Sequence, residues 1–330
     1  MEVQKPIVVS GIQPSGDLHL GNYLGAIRHW VKLQNEFPCF FFIADYHSLT
    51  EPFDPAKKEG QTLTLAAELM ALGIDPQRCT LFVQSHVPEV TELCWILNTV
   101  TPFAFLERMT QFKDKAARQK ANVNAGLFDY PVLQAADVLL YHGSLVPVGG
   151  DQIQHVELTR DLARFFNKRF GDYFPEPKPL LTEAPKLMSL TDPEKKMSKS
   201  DPGGMLALTD EPQIILQKLK RAVTDTAPEK KERSPGVSNL FLLLEHFGTS
   251  DDKLRFGREH REGTIRYSDL KTLLAERLAE HFAEFRVRRA ELLRSPQKLQ
   301  TILAGGAEKA RTVAKATMAQ VRKRIGLLVA

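Results

Sequence analysis

Residues 11–26 read GIQPSGDLHLGNYLGA and follow a short apolar run, Ile7 to Val9. The stretch predicts a strand that ends in a tight turn and leads into a helix, with Gly21 and Asn22 near the helix N-terminus. Backbone N–H groups at a helix N-terminus are unpaired, so this position suits an anionic ligand. The stretch matches neither GxxxxGK[ST] nor GxGxxG, so the two commonest phosphate-binding loops do not explain it.

The first half of the chain alternates short apolar runs with longer amphipathic segments. Strands are predicted at IVVSG (7–11), CFFFIAD (39–45), TLFVQS (80–85) and LVPVGG (145–150). Helices are predicted over residues 22–34, 56–72, 90–98 and 152–166. Continuous apolar strands alternating with helices indicate the α/β class, as a Rossmann-like, doubly wound parallel sheet covered on both faces. Ligands of such sheets bind outside the carboxyl ends of the strands, where ADYHSLT, SHVPE and GGDQ lie.

The second half of the chain has a different pattern. Residues 175–212 are rich in Pro, Gly, Lys and Asp, which predicts a linker and a mobile loop. The rest is almost entirely helical, with Gly305 and Gly306 before a last helix. We therefore expect a Rossmann-like catalytic domain over residues 1–190 and an all-helical domain, with the loop at KKMSKS, over residues 191–330. The last helix can pack back on the first domain.

Charge and composition narrow the class of protein. Residues 211–330 carry 24 Lys and Arg against 15 Asp and Glu, a net charge of +9, whereas the first 210 residues carry −5. A basic half indicates contact with a nucleic acid, although Arg-rich helices also occur as ordinary solvated faces. The three cysteines are widely spaced, and no apolar run reaches the ~20 residues that span a bilayer. We expect a cytoplasmic protein with no membrane span, disulfide or structural zinc.

Three further stretches carry residues suited to chemistry. In YPVLQAADVLLY (130–141), Tyr130, Gln134 and Asp137 share one helix face, where the Asp either joins an internal network or accepts a hydrogen bond from a ligand. In VPVGGDQIQH, Asp151 either caps the next helix or accepts a hydrogen bond from a ribose hydroxyl, which Gly149 and Gly150 allow to approach the backbone closely. KKMSKSDPGG (195–204) is either solvated surface or a mobile clamp for a polyphosphate.

Two of these motifs, taken together, resemble a known family. DLHLGN (17–22) resembles the HIGH signature and KKMSKS (195–200) the KMSKS signature of class I aminoacyl-tRNA synthetases. With ERMTQFKDK, YPVLQAADVLLY, DQIQHVELTRDLA and AVTD, nearly the whole chain from about Val9 resembles the bacterial tryptophanyl-tRNA synthetases.

The resemblance implies a reaction and its partners. L-tryptophan reacts with ATP to give tryptophanyl-adenylate and pyrophosphate, and the tryptophan is then transferred to the 3′-terminal adenosine of tRNA(Trp). Mg²⁺ is carried by ATP, no resident metal is expected, and the protein is expected to be a homodimer. The helical half, including the Arg-rich stretch FRVRRAELLR (285–294), is the candidate for tRNA contact around the anticodon, although its Arg residues could equally serve helix packing or a dimer surface.

The resemblance also assigns site residues. The expected catalytic residues are His19, Asn22, Lys115, Lys196 and Lys199. The expected ATP-binding residues are Gln13, Ser15, Gly21, Asn22, Gly149, Asp151, Lys196, Met197, Ser198 and Lys199. The expected tryptophan-binding residues are Tyr130 and Gln152 at the α-amino group, Asp137 at the indole N–H, and Gln134, Val146 and Val148 in the pocket lining.

Departures from the family pattern keep alternatives open. Gln134 stands where bacterial members usually carry Met, and Val9 where they usually carry Phe. A Gln on this helix also occurs in tyrosyl-tRNA synthetases, so the tyrosine enzyme is one alternative, although the small Val9 favours the larger indole ring. A synthetase-like RNA-binding protein without catalysis is another, against which the intact lysines and Asp137 argue. A nucleotidyltransferase with a similar loop is a further alternative, but that function would not explain the basic, helical second half of the chain.

Overall fold

The computed structural model describes residues 5–109, 123–181, 186–199, 201–224 and 233–328. The chain forms two compact units, and each is discontinuous in sequence. The first comprises Met1–Ser15, Arg28–Glu183 and Leu292–Ala330, and the second comprises Gly16–Ile27 and Ala184–Glu291. The boundary at residue 190 that we expect from the sequence puts DLHLGN and KKMSKS in different domains. In the structure, both motifs belong to the second unit.

The first unit is built on a five-stranded sheet in which all paired strands are parallel. The strands are β1 (Val8–Ile12), β2 (Cys39–Ile43), β3 (Thr80–Val83), β4 (Leu145–Val148) and β5 (Lys178–Leu181). Their order is β3-β2-β1-β4-β5, so the chain moves outward from β1 to β3 and then returns to the other side of β1. The order reverses between β1 and β4, where sheets of this kind bind ligands. The expected Rossmann-like parallel sheet is confirmed.

Strand β5 lies in the segment that the sequence marks as linker and loop, so that interpretation is wrong over Lys178–Leu181. The strand begins Lys-Pro, is partly exposed and forms the edge of the sheet. An edge strand pairs on one side alone and tolerates Pro, so it lacks the continuous apolar run that marks the inner strands.

Helices of the first unit cover the sheet and bury one apolar face each. They are α2 (Arg28–Leu33), α3 (Pro55–Ala71), α4 (Glu89–Asn98), α5 (Phe103–Glu107), α6 (Ala125–Leu139) and α7 (Ile153–Phe170). The core that they share with the inner strands includes Val9, Phe42, Phe82 and Leu139. Asp54 and Asn124 begin α3 and α6 by accepting hydrogen bonds from backbone N–H groups of the first turn.

The last helix, which we number α13, runs from Pro296 to Ile325 without a break at Gly305 and Gly306. The expectation of a helix beginning after this pair is therefore wrong. Gly306 is buried against β3, and a Cβ at this position would overlap the carbonyl oxygen of Leu81. The glycine permits a close approach of helix and strand, rather than a helix end. Arg322 also forms a bidentate ion pair with Glu92 of α4, at 2.8 and 2.5 Å.

The second unit is mainly helical, and its first helix lies inside the signature segment DLHLGN. Its helices are α1 (Leu20–Asn22), α8 (Pro212–Lys220), α9 (Pro235–Phe247), α10 (Ser250–Arg261), α11 (Tyr267–His281) and α12 (Ala283–Leu293), of which α12 ends just inside the first unit. The buried Lys271 of α11 donates to the carbonyl oxygen of Ala222, 2.7 Å away, and so caps the chain after α8. Within the described ranges, no helix is both long and apolar enough to cross a bilayer.

Candidate active site

The opening motif is organised around an imidazole cap. His19 begins α1, and its Nδ1 accepts a hydrogen bond from the Gly21 N–H at 3.0 Å. The Asn22 Oδ1 accepts one in return from the His19 N–H at 3.1 Å, which completes a capping box. A Cβ at residue 21 would lie 2.8 Å from the His19 ring, so only glycine leaves space for the imidazole.

The environment of His19 keeps its imidazole neutral. Burial, and then the positive charges of Lys199 and Lys196, lower the pKa of His19 to about 4. Since Nδ1 accepts from Gly21, the neutral ring carries its proton on Nε2. The site therefore presents a neutral N–H donor at neutral pH.

The KKMSKS segment of the same unit is anchored at its base. Met188 and Lys196 form an antiparallel bridge, and Met197 is buried. The side chain of Asn239 holds Met188 through both its amide N–H and its carbonyl oxygen, at 2.9 and 3.0 Å. Asp201, just beyond the motif, accepts a 2.6 Å hydrogen bond from the Ser189 hydroxyl.

The exposed Lys196 and the half-buried Ser198 and Lys199 lie between these anchors. The Lys199 ammonium donates to the Gly16 carbonyl oxygen at 2.9 Å, which ties the second signature motif to the start of the first. The second unit thus gathers His19, Gly21, Asn22 and the KKMSKS lysines.

Asp137 is the centre of the site in the first unit. It is buried on α6, and the Gln84 Nε2 lies 2.7 Å from its Oδ1 and 2.9 Å from its Oδ2. The His47 Nε2 lies 2.9 Å from the same Oδ2. Burial raises the pKa of Asp137, and the hydrogen bonds from His47 and Gln84 oppose this shift. Of the two interpretations of this Asp, the internal network is present, and Oδ1 has the fewer donors among the described residues.

The other residues predicted to bind the amino acid lie on α6, on β4 and in the turn after β4. Tyr130 is buried, its hydroxyl lies 2.8 Å from the His155 Nε2, and burial raises its pKa. Val146 and Val148 are buried on one face of β4, whereas Gln134 is half-buried. Gly149 precedes the short 3₁₀ turn after β4, and Gln152 is the last residue of that turn.

Two predicted ATP-binding residues, Gln13 and Ser15, lie in the segment after β1. Gln13 is half-buried directly after β1, and the exposed Ser15 donates its backbone N–H to the Gln13 carbonyl oxygen at 2.9 Å. Lys115 lies outside the described residues, and so does the side chain of Asp151.

Sequence reasoning did not single out His47, Gln84 or His155 as site residues. Gln84 directly follows β3 and His47 lies four residues after the end of β2, so their positions beyond the carboxyl ends of strands were the available signal. His155 is on the first turn of α7 and had no such signal.

Two kinds of chemistry follow from this geometry. The neutral imidazole and the lysines of the second unit suit the oxygens of a polyphosphate. The buried carboxylate of the first unit suits a ligand that donates an N–H or O–H. No general base is required if the nucleophile is already an anion.

Comparisons with known proteins agree with this chemistry. The family model of tRNA synthetases class I (W and Y) matches residues 1–283. The chain is 50% identical to tryptophan–tRNA ligase 2 of Streptomyces avermitilis, a match that covers 100% of this chain and 99% of the relative. It is 44% identical to the tryptophan–tRNA ligase of Caldanaerobacter subterraneus over 98% of each chain.

A solved structure is similarly close. The tryptophanyl-tRNA synthetase of Campylobacter jejuni, complexed with ADP and tryptophan, matches with a TM-score of 0.86 and 39% identity, over 97% of this chain and 100% of that one. The match of the family model to most of the chain, together with full-length relatives of this identity, shows the family. The chain therefore belongs to the class I tRNA synthetases of the W and Y group.

Proposed function

We infer that this chain is a tryptophan–tRNA ligase. It activates L-tryptophan with ATP, releases pyrophosphate, and transfers the tryptophan to the 3′-terminal adenosine of tRNA(Trp). The observation that carries this inference is that four curated relatives, 43–50% identical over 98% or more of this chain, bear that activity in their names. The same names disfavour the tyrosine alternative, and the intact lysines disfavour an inactive RNA-binding protein.

The first step needs alignment and charge neutralisation more than proton transfer. The tryptophan carboxylate is ionised at neutral pH, so it attacks the α-phosphorus of ATP directly, and pyrophosphate leaves. We assign Lys196 and Lys199, with Lys115, to the negative charge that develops on the pyrophosphate. We assign the His19 Nε2–H as a donor to a phosphate oxygen. Because the Asn22 Oδ1 accepts the His19 backbone N–H, the Asn22 side chain has its Nδ2 group left to donate to the same ligand.

We assign the remaining predicted residues to binding the two substrates. Gln13, Ser15, Gly21, Gly149, Asp151, Met197 and Ser198 are assigned to ATP. Tyr130, Gln134, Val146, Val148 and Gln152 are assigned to tryptophan, with Asp137 accepting the indole N–H. ATP supplies Mg²⁺, which neutralises phosphate charge.

The helical unit is the part that we assign to tRNA. In the Arg-rich stretch on α12, two side chains already have partners within the protein. Arg286 donates to the Ala279 carbonyl oxygen, and Arg288 forms an ion pair with Glu284. A groove of about 420 Å³ beside α9 and α10 is better suited, because Arg233 and Arg261 both line it. We call it the basic groove.

The charges of the basic groove support an anionic ligand. Burial and the nearby charge of Arg261 lower the pKa of Arg233. Neither guanidinium forms an ion pair within the described part of the chain, whereas Lys253, which also lines the groove, pairs with Glu245 at 3.2 Å. Arg233 stacks 3.6 Å from the centre of the Phe241 ring, which leaves a planar cation for a phosphate or a base.

An aminoacylation assay tests this function. The wild-type protein is expected to charge tRNA(Trp) with tryptophan when ATP is present. Arg233→Gln and Arg261→Gln are each expected to raise the KM for tRNA about 10-fold, as the loss of one phosphate contact predicts, with pyrophosphate exchange unchanged. Arg258→Gln, an exposed position on α10 outside the groove, is the control for charge. Equal KM values for all three variants would contradict the groove assignment.

We also propose a homodimer and a cytoplasmic location. Trp95 on α4 is 71% exposed, and Leu49, Phe53, Phe103 and Val123 of the same unit are exposed as well. Leu49 also lines a cavity of about 270 Å³ together with residues of α4 and α6. Exposed apolar surface of this kind is typical of an interface between subunits.

The three buried cysteines, all free thiols, suit a reducing compartment.

A further inference from the structure

The side chain of Gln84 is held in one orientation by its neighbours. It is 1% exposed and follows the last residue of β3. Its Oε1 accepts a hydrogen bond from the Tyr46 backbone N–H at 3.1 Å, so the amide nitrogen has to face the other way. The other side is occupied by Asp137, and the orientation of the amide is therefore determined by its partners at both ends.

The amide nitrogen of Gln84 contacts both oxygens of Asp137, at 2.7 Å to Oδ1 and 2.9 Å to Oδ2. Oδ2 also faces the His47 Nε2 at 2.9 Å. Within the described ranges Oδ2 thus has two side-chain donors and Oδ1 has one, and each carboxylate oxygen has two lone pairs. Among the described residues, the acceptor position that remains on this carboxylate is therefore on Oδ1.

We propose that Gln84 is a positioning residue for specificity: it fixes the Asp137 carboxylate so that Oδ1 is directed to the N–H of the bound amino acid. This proposal rests on the proposed function and assigns a role to a residue outside the signature motifs. A carboxylate that rotates freely about its last torsion accepts from any nearby donor, whereas a fixed one rejects ligands whose donor is displaced.

The network also links Asp137 to the end of β2. The Tyr46 N–H and the Ser85 N–H both contact the Asp45 Oδ1, at 3.1 and 3.0 Å. Gln84 therefore lies between two backbone segments that end neighbouring strands. Because these strands are fixed by sheet pairing, the carboxylate is positioned by the sheet and not by the helix alone.

The test compares two amino acids in ATP–pyrophosphate exchange. One is tryptophan, and the other is β-(3-benzothienyl)alanine, which has sulfur in place of the indole N–H. Gln84→Met preserves the shape and removes both hydrogen-bonding ends. It is expected to raise the KM for tryptophan about 10- to 100-fold while kcat changes less than about 3-fold. The KM for the benzothienyl analogue is expected to change less than about 3-fold, since that ligand has no N–H to lose.

A matched control is Gln34→Met. Gln34 is also a buried amide of the first unit, with its Nε2 2.8 Å from the Gly73 carbonyl oxygen and its Oε1 2.9 Å from the Asp75 N–H. This variant loses comparable hydrogen bonds away from Asp137, so it is expected to lose stability without any difference between the two amino acids. If Gln84→Met does not fold, Gln84→Ala replaces it, because it removes the donor to Asp137 without placing a second carboxyl group beside this buried carboxylate.

Three results separate the possible failures. A loss confined to tryptophan supports the assignment of Gln84. An equal loss for both amino acids, or no loss for tryptophan, overturns it and leaves the proposed function intact. A wild-type protein that gives no exchange with tryptophan overturns the proposed function itself, and the Gln84 assignment with it.

Discussion

At the scale of single residues, the two signature motifs present chemical groups whose state is set by their neighbours. His19 caps a helix with Nδ1, which leaves its proton on Nε2, and Gly21 provides the space for the ring. A loop histidine with an ordinary pKa is charged in part near pH 6.5. The burial of His19 and the two nearby lysines instead favour a neutral donor, which does not add to the positive charge of the lysines.

The protonation of His19 is a direct prediction. We expect its imidazole to stay neutral, with the proton on Nε2, from pH 8 down to about pH 5, and to titrate at a pKa of about 4. Because the unfolded state binds this proton near pH 6.5, His19 contributes stability above that pH and loses it as the pH falls towards 4. Nitrogen-15 NMR of labelled histidines, with the signal identified by its loss in His19→Gln, measures both quantities. A midpoint near 6.5 would contradict the account.

The sequence predicted the residues of the motifs but not those that hold them. His19, Lys196 and Asp137 belong to recognisable stretches, and Asp137 is buried in a hydrogen-bond network with His47 and Gln84. Gln84 and His47 both contact Asp137, which lies 53 and 90 residues away from them in the sequence. Neither residue belongs to a motif that indicates this contact. Such partners are defined by the order of the strands, which a single sequence does not contain.

At the scale of elements, the pair Gly305 and Gly306 shows that glycine can permit close packing of a helix as well as end one. Gly305 and Gly306 read as a helix break in the sequence, yet both lie inside α13. The reason is the distance between α13 and β3, which a local pattern does not report. Strand β5 escaped prediction for a related reason, since its pairing with β4 and not its own composition makes it a strand.

The glycine pair allows a matched test of this packing. Gly306→Ala is expected to lower the free energy of unfolding by about 1–3 kcal/mol, because its Cβ would overlap the Leu81 carbonyl oxygen. Gly305→Ala, whose Cβ meets nothing within 4 Å, is expected to raise it by about 0.5–1 kcal/mol, as alanine does in an exposed helix. Thermal and urea denaturation of both variants measure the difference. Equal effects would show that the close approach of α13 is not required.

At the scale of the whole molecule, the division of labour follows the two units. The first unit holds the carboxylate and the valines assigned to the amino acid, and the second holds both signature motifs and the basic groove. The charge difference between the two halves of the sequence does not follow this division, because +7 of the +9 excess in residues 211–330 lies in residues 292–330, which belong to the first unit.

Subunit association is the next prediction at this scale. Trp95→Glu places a charge on the most exposed aromatic side chain of α4 and is expected to convert a dimer into a monomer at micromolar concentration. Size-exclusion chromatography with light scattering measures the mass directly. Leu254→Glu, at a 70% exposed position on α10 of the second unit, is expected to leave the mass unchanged. A monomeric wild type, or a dimer that persists in Trp95→Glu, would contradict the interface.

The central claim is that the Asp137 pocket selects tryptophan for activation by ATP. ATP–pyrophosphate exchange without tRNA, with tryptophan and with tyrosine, tests it most directly. We expect kcat/KM for tryptophan to exceed that for tyrosine by at least about 100-fold, and to fall about 10- to 100-fold in Asp137→Asn. Exchange driven equally well by tyrosine, or by neither amino acid, would contradict the claim.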